Sequence, residues 1–95
     1  MHAIYKYHLD LANDYKECKI EMPVGAKILH LATLNNEPHI YAKVDSRTIS
    51  NEERYFMAVF TGEEHLYLDD NDSTYIGTYN TLRGSINLVV HVFEY

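Results

Sequence analysis

A chain of 95 residues has room for one domain and no second, and with 46% hydrophobic residues it can build a core, though a small one. Eight Lys and Arg against fourteen Asp and Glu give a formal charge of −6, which argues against the counterion-releasing grip on duplex nucleic acid that clustered cations provide. The single Cys18 excludes an intramolecular disulfide, no basic and apolar leader opens the chain, and no apolar run approaches the ~20 residues that cross a bilayer. A reducing cytoplasm and no membrane are therefore expected, and so is a homo-oligomer, since identical copies add the apolar burial that a small domain lacks. An acidic surface can also dock on a basic protein, which keeps DNA mimicry open.

The first predicted strand is Ala3 to Leu9, with Ala3, Tyr5, Tyr7 and Leu9 on one face and Ile4, Lys6 and His8 on the other. The tyrosine face is expected inward. After a turn at Asp10 to Asp14, Lys16, Cys18, Ile20 and Met22 alternate with Tyr15, Glu17, Lys19 and Glu21, which predicts the second strand of a hairpin with one wet face. Pro23-Val24-Gly25 ends it, because Pro removes a donor and Gly permits a positive φ. A third strand is expected from Ala26 to Leu34, then a tight turn at Asn35-Asn36-Glu37-Pro38, where Asn tolerates the left-handed backbone.

Strand four, His39 to Asp45, directs Ile40, Ala42 and Val44 to the core and His39, Tyr41, Lys43 and Asp45 outward. Ser46 to Glu53 has no period and reads as an exposed loop. Arg54 to Gly62 is apolar on both faces, as in a strand covered on both sides. The acidic segment Glu63 to Asp72 can form a short helical turn but has too few apolar positions to fix one. Ser73 to Tyr79 and Ile86 to Tyr95 complete the set around a turn at Leu82 to Ser85, the last strand being a candidate edge and interface. Together these predict an all-β protein, a small antiparallel sandwich or partly open barrel of about seven strands.

Signatures of catalysis are absent: no G-x-S-x-G, G-x-x-x-x-G-K, G-x-G-x-x-G or H-E-x-x-H occurs, so no enzyme is expected. Cys18 shares an alternating face with Ile20 and reads as a structural thiol. Glu63, Glu64, His65, Asp69, Asp70 and Asp72 offer metal ligands but lack the Gly and terminal Glu of an EF-hand loop, so a solvated loop and no metal or cofactor are expected. The six histidines lack ligand spacing, and His30 and His91, within apolar strands, are expected to be partly buried and hydrogen-bonded. The remaining set is Tyr41 and Lys43 on strand four, Arg47 in the loop, and Arg54 and Tyr55 opening strand five, with Arg83 as a further cation. Arg and Lys bind phosphate and tyrosine stacks on bases or riboses, so these are the candidate ligand-binding residues, with Arg54 and Arg47 on phosphate.

Several stretches, taken in order, resemble a family of small proteins encoded by bacteriophages. They are Ile4 to Tyr7, Met22-Pro23-Val24-Gly25-Ala26-Lys27-Ile28-Leu29-His30, the Asn35 to Pro38 turn with a strand ending Val44-Asp45, Arg54 to Gly62, Tyr75-Ile76-Gly77-Thr78-Tyr79, and His91-Val92-Phe93-Glu94. After Thr61-Gly62 the family often places His-Pro, whereas this chain has Glu63-Glu64 and a longer acidic insertion. The resemblance implies a phage accessory protein of the host cytoplasm that counters bacterial immunity. One such class is a sponge that holds a small-molecule nucleotide signal, a cyclic ADP-ribose derivative, histidine-conjugated ADP-ribose or a cyclic dinucleotide, without cleaving it or binding nucleic acid directly. Another inhibits an immune nuclease by contact or DNA mimicry, and a third is structural in the virion.

Overall fold

In the computed structural model, which describes residues 1–12, 16–66, 68–69 and 73–95, the chain forms seven strands. They are β1 (His2–His8), β2 (Glu17–Pro23), β3 (Lys27–Leu34), β4 (Glu37–Asp45), β5 (Asn51–Phe60), β6 (Thr74–Arg83) and β7 (Ile86–Glu94). A three-stranded sheet in the order β1-β4-β3 faces a four-stranded sheet in the order β2-β5-β7-β6, every pairing is antiparallel, and no helix occurs among the described residues. The sheets share no strand and are not closed into a barrel, consistent with the small sandwich. The turn expected at Asn13-Asp14 and the acidic Asp70 and Asp72 lie outside the described residues.

Strand alternation builds the core. Ile40, Ala42 and Val44 of β4 are buried and face Met22 of β2, Phe56 and Ala58 of β5, and Val90 and Val92 of β7 within one apolar cluster. Tyr5 and Tyr7 share the inner face of β1, opposite Ala42 and Ile40, with Tyr7 packed against the cluster. β5 is apolar on both faces because both are covered: Met57 and Val59, on the outer side, are buried as well. The chain beyond β5 folds back there, and Leu68 lines a recess of about 220 Å³ with Val59, His91 and Phe93. Lys16 anchors that return, its Nζ donating to both oxygens of Glu63 at 2.6 and 2.5 Å while lying 4.0 Å over the Phe60 ring.

Two tight turns set the registers. Asn35 (φ 53°) and Asn36 (φ 64°) both adopt the left-handed backbone of a two-residue hairpin, so Leu34 opposes Glu37 and the strand begins two residues before His39. Gly84 (φ 64°) and Ser85 join β6 to β7, which runs β6 on to Arg83 and not only to Tyr79. The loop after β4 is correspondingly short, because Asn51 to Glu53 pair with Glu21 to Pro23.

Two expectations about neighbours are corrected. β1 and β2 do not form a hairpin: β1 pairs with β4 and β2 with β5, each in a different sheet. Nor is the last strand an edge, since β7 is paired on both sides, by β5 and β6; the edges are β1, β3, β2 and β6. An apolar two-faced strand is a signature of the sheet interior, which is the reading Val89 and Phe93 called for.

The sheets approach closely where β3 crosses β6. A Cβ placed on Gly77 would stand 3.0 Å from Cβ and 3.1 Å from Cδ2 of Leu31, tighter than most side-chain contacts, so Leu31 would have to give way. Gly77→Ala is therefore expected to cost about 1–3 kcal/mol in urea unfolding, the usual penalty of overpacking. The same substitution in a Leu31→Ala background should cost less; equal costs in the two backgrounds would show that this contact does not set the spacing.

Candidate functional site

Eight Lys and Arg side chains are available, and half of them are spent inside the fold. Lys16 pairs with Glu63, Lys19 with Glu53 at 3.6 Å, Arg47 with Asp45 at 2.9 Å, and Arg54 with Glu94. The other four, Lys6, Lys27, Lys43 and Arg83, have no carboxylate partner among the described residues.

Three of those four lie on one surface, the outward face of β1-β4-β3. Lys43 of β4 stands directly opposite Lys27 of β3, and on its other side opposite Ile4 of β1. Lys6 opposes Tyr41, two residues along β4 from Lys43, and His30 opposes Tyr41 from β3. Like charges directly opposite across an antiparallel pair destabilise a sheet, so Lys27 and Lys43 are an arrangement that folding alone disfavours. The acids on this face sit at the two ends of β4 and are matched. Asp45 accepts from the Arg47 side chain and backbone, which hold its carboxyl far below the usual carboxylate range, and Glu37 lies 3.2 Å from His8 Nε2.

Beside this face, between the edge strands β3 and β6, is a groove of about 400 Å³. Both strands are bulged where they line it, β3 between Ile28 and His30 and β6 between Tyr75 and Gly77, and bulges commonly re-aim strands next to binding sites. Lys27 is on its lining, so the groove opens on the lysine face. Arg54 and Glu94 also line it. Arg54 Nη2 donates to Glu94 Oε1 at 2.9 Å, Nε donates to the other oxygen, and Nη1 donates to the Ala26 carbonyl at 2.7 Å. Three of the five guanidinium N–H groups are thus engaged, and Glu52 Oε1 lies 3.6 Å from Nη1. With Arg54 on β5 and Ala26 just before β3, this side chain ties the two sheets together.

The sequence-derived candidates separate accordingly. Arg54 lines the groove, and Lys43 and Tyr41 belong to the adjoining face. Arg47 is locked to Asp45 beyond the end of β4. Tyr55 is on the outer side of the other sheet, where its hydroxyl donates to Glu53 at 2.8 Å and its ring lies 6.2 Å from that of Tyr95. Arg83 lines a smaller recess of about 170 Å³ with His8 and Asn36. Lys6 and Lys27 were missed: alternation sets each on an outward face, but only the β1-β4-β3 pairing brings them to Lys43. His91 has its hydrogen bonds, at 2.8 Å to Thr61 Oγ1 and 2.9 Å to Thr78 Oγ1, whereas His30 is exposed because it faces outward beyond the β3 bulge. Burial pushes the Cys18 thiol up to about 11, which leaves little thiolate at neutral pH.

The engagement of Arg54 makes its removal a matter of stability. Its side chain is 16% exposed and that of Glu94 21%, between the surface and the interior, so Arg54→Ala is expected to lower unfolding stability by about 2–3 kcal/mol, intermediate between exposed and buried pairs. Arg54→Lys should recover only part, because an ammonium cannot make the bidentate contact. An unchanged denaturation midpoint for Arg54→Ala would remove the cross-sheet role.

No curated protein and no solved structure matches the chain. Its full length, residues 1–95, matches the model of a domain of unknown function, DUF7352, and the protein belongs to that family.

Proposed function

We propose that the protein captures a nucleotide without cleaving it, the groove between β3 and β6 receiving the base or ribose and Lys27, with Lys43 beside it, holding phosphate. One observation carries this reading: stretches from β3, β5, β6 and β7, each part of the resemblance to phage proteins, converge on one groove whose lining carries an ammonium with no carboxylate partner among the described residues. Its volume, about 400 Å³, falls in the range of ~300–1,000 Å³ typical of small-molecule sites. In the setting that the resemblance implies, capture withdraws an immune signal, and the groove's exposed rim residues Leu29 and Tyr75 give a second copy an apolar surface with which to close it. Arg54 then serves the site by shaping it, and Lys27 supplies the charge.

Thermal shift against cyclic ADP-ribose isomers, histidine-conjugated ADP-ribose and cyclic dinucleotides tests the reading, since a ligand that binds only the folded state raises the melting temperature by mass action. A shift of several degrees is expected for at least one compound, with the compound recovered intact after heat denaturation. Lys27→Glu should abolish that shift while leaving the unliganded melting temperature unchanged or slightly higher, because it relieves the repulsion with Lys43. Recovery of fragments, or no shift with any nucleotide, would overturn it.

A further inference from the structure

We infer that the same groove also accepts a nucleotide carried in a single strand of nucleic acid, which leaves the groove at Lys27 and crosses the outward face of β1-β4-β3. The inference rests on the reading that the groove takes a nucleotide, and extends it to the class of ligand. The cations do not stop at the groove. Lys27 is on the lining, Lys43 stands opposite it on the next strand, and Lys6 lies diagonally beyond on the third, so the row crosses the whole sheet and no member has a carboxylate partner among the described residues. Tyr41 sits beside the row, between Lys6 and His30.

Shape separates a strand from a small molecule. Lys6 and Lys43 are exposed and Tyr41 is half-buried on the outward face of the sheet, so their surface is open and a mononucleotide would gain little enclosure there. An open surface with cations along a track and an aromatic ring beside it suits a strand, whose phosphates meet the lysines while a base stacks on the ring. A duplex fits poorly, because the sheet's three strands span only about 10 Å between their outer axes and the rest of the protein is acidic. An acidic polypeptide would satisfy the lysines but would leave Tyr41 and the groove without a role.

The test is fluorescence anisotropy with a labelled oligothymidylate of roughly ten nucleotides, a size within the range of single-strand sites, across a series of salt concentrations. Three lysine contacts predict a slope of log K against log[salt] of about −2, at ~−0.7 per phosphate neutralised. Lys6→Gln and Lys43→Gln should each reduce its magnitude by about 0.7. Tyr41→Ala should weaken binding about tenfold without altering the slope. Circular dichroism and melting temperature serve as folding controls for each variant. A small nucleotide that shifts the melting temperature, together with an oligothymidylate that binds no more tightly than thymidine monophosphate, would overturn this inference and leave the nucleotide reading standing. Strand binding that depends on Lys6, Lys43 and Tyr41 yet survives a groove-filling Ile76→Trp would support the face and remove the groove. Equal binding of a duplex, or of polyglutamate in place of the strand, overturns the inference, and no binding by any of these probes overturns both.

Discussion

Two thin sheets can be held in register only where something crosses the space between them, and in this protein, besides the hydrogen bonds between Asn36 and Thr81 and Leu82 of β6, a polar crossing is made by Arg54. The residue stands on β5, is gripped by Glu94 from β7, and donates to the carbonyl of Ala26 where the chain enters β3. Leu31 against Gly77 provides the apolar counterpart, letting β3 and β6 approach closely there. The groove exists because these two contacts fix one side of the sandwich while the bulges in both edge strands turn their backbones aside. Its shape is therefore a property of the tertiary contacts and not of any single loop.

Charge is distributed by the same logic. A net charge of −6 describes the chain, but the fold segregates what the chain averages. Four cations are neutralised by local acids, and three of the remainder are collected on the outward side of the smaller sheet. The repulsion between Lys27 and Lys43 is a small standing cost, which an anion seated between them would convert into attraction. Acidic surfaces elsewhere would confine such an anion to that strip.

Periodicity carried much of the fold. The alternation of Ile40, Ala42 and Val44 placed the inner face of β4 correctly, the unbroken apolar run around Phe56 to Val59 placed β5 in the interior, and Asn35-Asn36 marked a turn that requires two left-handed residues. What alternation cannot supply is the neighbour. A strand's pattern is the same whether it pairs with the next strand in sequence or with one three strands away, which is why β1 was assigned to β2 and not to β4. The site suffered from the same gap. Arg54 has the chemistry of a phosphate ligand, and nothing local reveals that Glu94, forty residues later, stands against it. Lys6, Lys27 and Lys43 are unremarkable one at a time and become a group only through strand order.

The two-residue turns have a bearing on the order in which the molecule assembles. β3 with β4 and β6 with β7 are hairpins closed by minimal loops, so each loses little loop entropy on forming, whereas β1 must find β4 and β2 must find β5 across long intervening stretches. Those two hairpins carry Leu31 and Gly77, and with them most of the backbone around the groove. β1, an edge strand added from a distance, is the element whose release would disturb that nucleus least, and it takes Lys6 with it. Fraying at the amino-terminal strand thus shortens the cationic row from one end while the groove stays intact.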